Sequence, residues 1–336
     1  MFKHAIFDKK NVLVLGGAGF IGSHLCDRLA QTAKVICVDN FSDGSEYNID
    51  HLLADPNFKF IKADFAEPLI LENQPELADF KVEFQGVQEI YNLACPTAPL
   101  NFHKNKVANL LANSYVVKNA LDLAQKYQAK LLHFSSSVVY GARRSSERVS
   151  EEFVGALDPM AERASYDTGK CFAEAMVRSY RDVYNLDAKI IRLSRIYGPR
   201  MPLNQGHLLP DFIVNALDNR DLVIFGNETF ATSFCYIDDC LAAIDKMMNS
   251  DLAGPINIGS DFDINLTEVA KQVIALTGSQ SKIVYTDEHL FITSLPLLDI
   301  TKAREQLGWI PLVSLEHGLT KTIDDLRASK NLKHAV

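Results

Sequence analysis

A glycine-rich turn near the start of the chain constrains the fold more than any other feature. The apolar run 12–15 ends at Gly16, and residues 19–31 continue with the spacing of an amphipathic helix. Gly16, Gly19 and Gly22 follow the pattern G-x-x-G-x-x-G at this junction. Glycines with this spacing allow a tight turn, close packing of helix on strand, and approach of a diphosphate to bare backbone. The segment therefore predicts the first strand–turn–helix unit of a dinucleotide-binding fold.

An acidic residue at the end of the second predicted strand indicates which dinucleotide binds. Asp39 lies 23 residues after Gly16. In such folds an acid at this place accepts hydrogen bonds from the ribose hydroxyls and repels the 2′-phosphate of NADP. Asn40 and Phe41 follow, and neither supplies a positive charge that would hold this phosphate. The predicted cofactor is NAD.

Short apolar runs alternate with helical stretches as far as Leu193. This alternation predicts an α/β fold with a Rossmann-type, doubly wound parallel sheet. Further strands are predicted at 35–38, 58–61, 89–93, 130–134 and 188–193, and a long helix at 106–127. Beyond Leu193, a loop rich in Gly and Pro interrupts the alternation. We therefore expect an NAD-binding domain over 1–193 and about 234–256, and a smaller mixed α/β substrate-binding domain over about 194–233 and 257–330.

A tyrosine and a lysine four residues apart carry the predicted chemistry. Tyr166 and Lys170 project from one face of a helix, because residues i and i+4 are neighbours there. An ammonium beside a phenol favours the phenolate and lowers the phenol's pKa towards neutral pH. Tyr166 is therefore a candidate general base towards a substrate hydroxyl. Ser136, at the end of the fifth strand, is predicted to hold the same oxygen.

Other strand ends are predicted to complete the cofactor site. Asp64 and Phe65 follow the third strand, where Asp64 either meets the adenine amine or only caps the next segment. Leu93 and Ala94 end the fourth strand, at the edge where ligands bind in such sheets. The full set of predicted NAD contacts is Gly16, Gly19, Phe20, Ile21, Gly22, Asp39, Asn40, Asp64, Phe65, Leu93, Ala94, Tyr166 and Lys170.

The composition argues against several other classes of protein. The net charge is −8, so the chain lacks the basic field that gathers nucleic acid. No apolar stretch approaches the roughly 18 residues that would predict a membrane-spanning helix, and no signal peptide is recognised. The six cysteines are scattered, without the Cys/His spacing of a metal site, as in a reduced chain. We expect a cytoplasmic enzyme with a small-molecule substrate, without metal and without nucleic-acid or membrane partners.

Over essentially its whole length the sequence resembles the extended short-chain dehydrogenases/reductases, the NAD-dependent epimerases and dehydratases that act on sugar nucleotides. Besides the motifs above, the resemblance lies in segments 22–29, 92–96, 197–201 and 233–239, which are most similar to the UDP-glucuronate decarboxylases of this family. It implies that NAD oxidises a sugar hydroxyl, that chemistry follows on the ketone, and that the hydride often returns. It also implies a homodimer, in which helices near 106–127 and 165–184 pair across a two-fold axis.

The chain departs from this family at residues that the resemblance places near the substrate. Dehydratases carry an Asp–Glu pair where this chain has Ser137 and Val138, and decarboxylases carry a glutamate at the second place. Thr232 stands for the family's usual arginine, which grips the diphosphate of the nucleotide sugar, and Arg195 stands for its usual asparagine. The predicted substrate contacts are Pro96, Ser137, Val138, Arg195, Arg200 and Thr232.

These departures leave more than one function open. The leading hypothesis is a decarboxylase of the UDP-glucuronate type or a 4-epimerase that retains its NAD. Val138 argues against dehydration, whereas decarboxylation survives because a β-keto acid is labile. The alternative is an NAD-dependent dehydrogenase or oxidative decarboxylase of a non-nucleotide hydroxy acid. A cofactor-binding protein without catalysis would not account for Ser136, Tyr166 and Lys170.

Overall fold

Parallel strands form the central sheet of the computed structural model, which describes residues 9–143, 145–226, 230–286 and 294–334. The strands are β1 (Asn11–Leu15), β2 (Lys34–Asp39), β3 (Phe58–Lys62), β4 (Glu89–Asn92), β5 (Lys130–Ser136), β6 (Arg148–Val149), β7 (Ala188–Leu193), β8 (Arg195–Tyr197), β9 (Leu222–Phe225), β10 (Ala231–Thr232), β11 (Phe234–Tyr236), β12 (Ile256–Ile258), β13 (Ile264–Asn265), β14 (Ile283–Thr286) and β15 (Leu297–Leu298). The helices are α1 (Phe20–Ala30), α2 (Val82–Gln85), α3 (Lys106–Leu111), α4 (Val117–Tyr127), α5 (Ala164–Tyr184), α6 (Leu208–Leu217), α7 (Ile237–Met248), α8 (Leu266–Thr277), α9 (Thr301–Leu307) and α10 (Leu315–His334).

The central sheet has seven strands in the order β3-β2-β1-β4-β5-β7-β12. Every residue of β1 is buried, and Leu13 pairs with Ile36 on one side and with Ile90 on the other. A strand without a polar face indicates a parallel sheet whose two faces are both covered. The winding reverses at β1 and β4, and in such sheets ligands bind at the carboxyl ends of these strands. The predicted Rossmann-type fold is confirmed.

The chain divides into two compact units, of which the first comprises residues 9–96, Leu110–Phe134 and Phe172–Ile190. Its core joins apolar side chains of the sheet to those of the helices, for example Leu13 and Ile36 with Leu121 of α4 and Val177 of α5. The predicted helix over 106–127 is present but not continuous, because one π-helical turn, Ala112–Val116, separates α3 from α4.

The second unit comprises Thr97–Asn109, Ser135–Cys171 and residues 191–334. It contains short strand pairs, of which β8–β11, β9–β14 and β6–β15 are parallel and β10–β13 is antiparallel. Buried Trp309 donates from Nε1 to the carbonyl oxygen of Asp239 at 2.9 Å. The Asp239 carboxylate accepts from the backbone amides of Leu312 and Val313 at 3.0 and 2.9 Å. These bonds attach the C-terminal segment to α7.

The division into units differs from the predicted domain boundaries. Residues 97–109, 135–171, 191–193 and about 234–256 lie in the second unit, whereas the predicted NAD-binding domain included them. Which domain binds NAD and which binds the substrate stays a prediction. Among the described residues, no helix is both long and apolar enough for a bilayer, and no three His, Cys, Asp or Glu side chains are grouped to hold a metal ion.

Candidate active site

The turn between β1 and α1 needs glycine at two positions because of its own packing. Gly16 has a φ of +78°, and a Cβ there would lie 2.9 Å from the backbone nitrogen of Ala94. Its amide donates to the carbonyl oxygen of Val38 at 2.8 Å, which places the turn over the end of β2. At Gly22 a Cβ would lie 2.2 Å from the carbonyl oxygen of Gly16. The helix therefore packs on the turn at a distance that only glycine allows.

Gly19 has a different environment. Its φ of −75° suits any residue, and the nearest atom to a Cβ there would be the carbonyl oxygen of Gly16, at 3.3 Å. Gly19 is also the N-cap of α1, and no side chain caps that helix end. The first amides of a helix have no acceptor within the helix, and they attract anions. The bare backbone at Gly19, Phe20, Ile21 and Gly22 therefore suits a diphosphate.

Asp39 holds the end of β2 against the glycine turn. One carboxylate oxygen, Oδ2, accepts from the backbone amide of Ala18 at 3.0 Å, and the other, Oδ1, accepts from that of Phe41 at 2.8 Å. Burial raises the pKa of Asp39, while these two hydrogen bonds lower it. Because an ionised carboxylate offers about four acceptor sites, it can accept further hydrogen bonds from ribose hydroxyls. The glycine turn, the uncapped helix and this acceptor fit NAD.

The remaining predicted NAD contacts lie at strand ends of the first unit. Asp64 accepts from the amide of Ala66 at 2.9 Å within a turn, and a contact with the adenine amine stays a prediction. The side chain of Phe65 packs in the core. The amide of Leu93 donates to the carbonyl oxygen of Leu15 at 3.0 Å, which extends the pairing of β4 with β1. Asn40 is exposed, and its Oδ1 accepts from the amide of Ser42.

In the second unit, Ser136 ends β5 and begins a 3₁₀ turn over Ser137–Tyr140. Its Oγ accepts a long hydrogen bond from the amide of Val138, at 3.4 Å. The side chains of Ser137 and Val138 are buried. Two residues after the predicted catalytic serine, the side chain of Val138 is therefore apolar and can neither donate nor accept a proton.

Tyr166 and Lys170 lie in the first two turns of α5, and their side chains are only 8% and 5% exposed. The ammonium of Lys170 is 5.8 Å from the centre of the Tyr166 ring. The ring of Phe102 lies 5.3 Å from that of Tyr166 at a tilt of 31°. The phenol therefore lies near both an aromatic ring and a cation, in surroundings that exclude most water. This confirms that the two side chains share one side of the helix.

The sequence did not identify Arg163, which lies against Tyr166. Its guanidinium is 4.9 Å from the centre of the Phe102 ring and 5.9 Å from that of Tyr166, and it forms an ion pair with Asp167 at 3.2 Å. The sequence does contain a signal for this contact. An arginine three residues before Tyr166 and four residues before Asp167 has the spacing at which side chains meet on one face of a helix. Burial raises the pKa of Asp167, and the charge of Arg163 lowers it.

The two predicted substrate residues Arg195 and Thr232 are in direct contact. Nε of Arg195 donates to Oγ1 of Thr232 at 3.0 Å. Arg195 begins β8, where it pairs with Phe234 of β11. Burial lowers the pKa of Arg195 to about 10, and the charge of Arg163 contributes to this shift.

Two other predicted substrate residues have contacts of their own. Arg200 follows β8 with a φ of +64°, and its amide donates to Oδ2 of Asp325 at 3.1 Å. Pro96 lies four residues after the end of β4, and its carbonyl oxygen accepts a weak bond from Sγ of Cys95. Neither contact involves Tyr166, so their substrate role stays a prediction.

The fold and the site together define a Rossmann enzyme of the short-chain dehydrogenase/reductase class. The profile of the NAD dependent epimerase/dehydratase family matches residues 12–259. The chain therefore belongs to the NAD-dependent epimerase/dehydratase family, and its cofactor is NAD. The predicted family, cofactor and enzyme class are confirmed.

Individual relatives narrow the comparison. The chain is 35% identical to UDP-glucuronic acid decarboxylase 1 of Xenopus tropicalis over 328 residues, which cover 97% of this chain and 74% of the relative. It is also 35% identical to UDP-glucuronic acid decarboxylase 4 of Arabidopsis thaliana, over 94% of this chain and 68% of the relative. Among solved structures it is similar to UDP-glucuronic acid 4-epimerase of Bacillus cereus in complex with UDP-glucuronic acid and NAD. That similarity has a TM-score of 0.81 and 26% identity over 95% of this chain and 99% of the other.

Asp39 gives a prediction on cofactor choice. We expect NAD to bind at least about tenfold tighter than NADP, because the carboxylate repels a 2′-phosphate. Asp39→Ala should narrow that gap, and calorimetric dissociation constants for both dinucleotides measure it. Asp39→Asn tests the charge separately from the size of the side chain. It keeps one oxygen that can accept from the amide of Ala18 or Phe41 but carries no negative charge, so it should also narrow the gap between the two affinities. Equal affinities in the wild type would contradict the assignment.

Proposed function

We propose that the chain oxidises a hydroxyl of a nucleotide sugar of the UDP-glucuronate type and releases the sugar's carboxylate as CO₂. The observation that carries this proposal is the buried Tyr166–Lys170 pair in a chain 35% identical to UDP-glucuronic acid decarboxylases. The alternative of a non-nucleotide hydroxy acid is not favoured, since the relatives named above act on nucleotide sugars.

Tyr166 takes the proton of the reacting hydroxyl. The Lys170 ammonium beside its ring stabilises the phenolate that must exist before this transfer. Ser136, at the end of β5, donates a hydrogen bond to the same substrate oxygen. When bound, NAD supplies the acceptor for the hydride that leaves the carbon. Phe102 and the first turns of α5 keep water from the phenol.

Loss of CO₂ does not require an acid at position 138. A ketone β to the carboxylate accepts the electron pair of the breaking C–C bond on its oxygen. Protonated Tyr166 and Ser136 donate hydrogen bonds to this oxygen as its negative charge develops. The buried Val138 is therefore compatible with decarboxylation, provided that the carbon that loses CO₂ takes its proton from water and not from residue 138. Return of the hydride to the ketone carbon, with the proton of Tyr166 going to its oxygen, then completes the UDP-pentose.

Val138 also favours a second candidate, 4-epimerisation without loss of carbon. In that reaction the ketone turns its other face and is reduced again, and Tyr166 returns the proton to the oxygen. No acid or base is needed at position 138. The similarity to UDP-glucuronic acid 4-epimerase of Bacillus cereus is consistent with this candidate.

One product assay tests the proposal and separates the candidates. The purified protein is incubated with NAD and UDP-glucuronate, and the nucleotide products are separated and weighed by mass spectrometry. A UDP-pentose together with CO₂ is the expected result, and UDP-galacturonate of unchanged mass would instead establish epimerisation. Stoichiometric release of NADH without either product, or no turnover, would contradict the proposal. Tyr166→Phe is the control for activity from a contaminating enzyme.

We further propose that the protein is a homodimer. In the first unit, Leu110, Tyr115, Phe172 and Tyr184 expose about half of their surface on the helical segments that the family resemblance pairs across a two-fold axis. α4 and α5 also contact each other, since the Tyr180 hydroxyl donates to Asp122 at 2.8 Å. Light scattering should give twice the chain mass of 37.4 kDa. The monomer mass alone would refute the dimer. The double variant Tyr115→Glu, Phe172→Glu should be monomeric, because it places charges on the exposed apolar surface.

A further inference from the structure

The peptide group that leads into α1 is held by the chain segment that follows Asp39. The carbonyl oxygen of Ala18 accepts two hydrogen bonds, one from the side-chain amide of Asn48 at 2.9 Å and one from the backbone amide of Ser45 at 3.0 Å. Ala18 and Asn48 are both buried, so water does not compete for these bonds. Since a carbonyl oxygen has two lone pairs, its capacity as an acceptor is filled.

The neighbouring N–H groups are held as well. The amide of Ala18 donates to Oδ2 of Asp39 at 3.0 Å, and the amide of Gly19 donates to the carbonyl oxygen of Gly16 at 3.2 Å. The peptide group between Ala18 and Gly19 is therefore fixed at both its C=O and its N–H. The next amides along the chain, at the start of α1, have no acceptor within the helix and are those that suit a diphosphate.

The two donors to Ala18 belong to one short turn. Residues Glu46–Asn48 form a 3₁₀ turn, and the amide of Asn48 donates to the carbonyl oxygen of Ser45 at 3.0 Å. This bond fixes the backbone of the two donor residues relative to each other. The loop before the turn lies backbone against backbone on Ala18, because a Cβ at Gly44 would lie 3.0 Å from the carbonyl carbon of Ala18. Ala18 therefore has little room to rotate or shift.

We propose that Asn48 is a positioning residue for NAD, which acts by holding the Ala18 carbonyl oxygen and thereby aims the first amides of α1 at the diphosphate. A peptide group that rotates in the free protein loses this freedom when the ligand binds, and that loss weakens binding. Asn48 avoids the loss, because it fixes the peptide group before NAD arrives. The proposal concerns the cofactor and does not depend on which sugar nucleotide is the substrate.

Two leucine substitutions separate positioning from general stability. Asn48→Leu keeps the approximate volume of the side chain but removes the donor to Ala18. The matched control is Asn11→Leu. Asn11 is buried at the other end of β1, and its side-chain amide donates to the carbonyl oxygens of Phe80 and Gly86 at 3.0 and 2.8 Å. Both variants lose hydrogen bonds from a buried amide to backbone carbonyl groups, so both should melt at a lower temperature than the wild type.

Dissociation constants of NAD and NADP are measured by calorimetry on the full chain, after any bound nucleotide has been removed. We expect Asn48→Leu to bind both dinucleotides about tenfold more weakly, because they carry the same diphosphate, while Asn11→Leu stays within about twofold of the wild type. Equal losses in the two variants would mean a general loss of stability and would overturn the proposal. A loss for NAD without one for NADP would also overturn it, because Asn48 would then act on the ribose through Asp39.

Hydrogen exchange measures the order of the glycine turn itself. In the nucleotide-free protein, peptides that cover residues 16–22 should exchange faster in Asn48→Leu than in the wild type, and at the wild-type rate in Asn11→Leu. Exchange at the wild-type rate in nucleotide-free Asn48→Leu would contradict the proposal, whatever the affinity for NAD. If Asn48→Leu does not fold, Asn48→Ala takes its place in both measurements, with Asn11→Ala as its control.

Discussion

Replacing Tyr166 by phenylalanine is expected to lower turnover at least about 100-fold while NAD binding stays within twofold of the wild type. The hydroxyl oxygen is the only heavy atom removed, and general-base catalysis contributes about 10²–10⁴-fold. The ring remains, so its contacts with Phe102 at 5.3 Å and with the Arg163 guanidinium at 5.9 Å persist. The fold should therefore be unchanged, and single-turnover kinetics with nucleotide sugar measures the loss.

A second buried tyrosine of the same unit is the matched control. The Tyr140 hydroxyl donates to Oδ1 of Asn257 at 2.7 Å and accepts from Arg192 at 2.8 Å. Burial raises the pKa of Tyr140 to about 12, against the opposing charge of Arg192. Tyr140→Phe should reduce the free energy of unfolding by about 1–3 kcal/mol and leave turnover within a few fold. If Tyr166→Phe kept more than a tenth of wild-type turnover, Tyr166 would not be the base.

The sequence predicted those parts of the fold in which apolar residues recur at a regular spacing, or in which glycine or proline interrupts that spacing. The apolar runs that became β1, β2, β4, β5 and β7 are buried along nearly their whole length, whereas β3 lies at the edge of the sheet and is only partly buried. The glycine turn and Asp39 have the geometry that their spacing required. The π-helical turn Ala112–Val116 was not predicted, because one wider turn does not disturb the apolar spacing of a long helix. Strands β8 and β11 were not predicted either, because three residues are too few to show an alternation of apolar and polar side chains.

The second unit shows why contacts between two residues are harder to predict from sequence than the roles of single residues. Arg195 and Thr232 were recognised as two separate departures from the family, yet they are hydrogen-bonded to each other. Their contact depends on the pairing of β8 with β11, which brings together residues almost forty positions apart. Phe102 lies in a segment without periodicity, so nothing in the sequence indicated that it contacts Tyr166.

Gly22→Ala is expected to weaken NAD binding at least about 100-fold and to destabilise the protein by about 1–3 kcal/mol. The added Cβ would lie 2.2 Å from the carbonyl oxygen of Gly16 and 2.8 Å from Cα of Gly17. Both are backbone atoms, so α1 must move away from the turn. Its first amides would then no longer point where the diphosphate binds. Calorimetry with NAD and thermal unfolding measure the two effects.

Gly19→Ala separates cofactor approach from protein packing. The nearest atom to its added Cβ is the Gly16 carbonyl oxygen at 3.3 Å, and a φ of −75° suits alanine, so stability should change by less than about 0.5 kcal/mol. NAD binding should nevertheless fall at least about tenfold, because the methyl group stands on the bare backbone that the diphosphate must approach. Unchanged NAD affinity in Gly19→Ala would remove Gly19 from the cofactor site. Unchanged stability in Gly22→Ala would mean that α1 can shift from the turn without cost. The two glycines occur in one motif, but the distances show that the packing of α1 on the turn requires glycine only at position 22, so the loss of affinity expected for Gly19→Ala tests a ligand role alone.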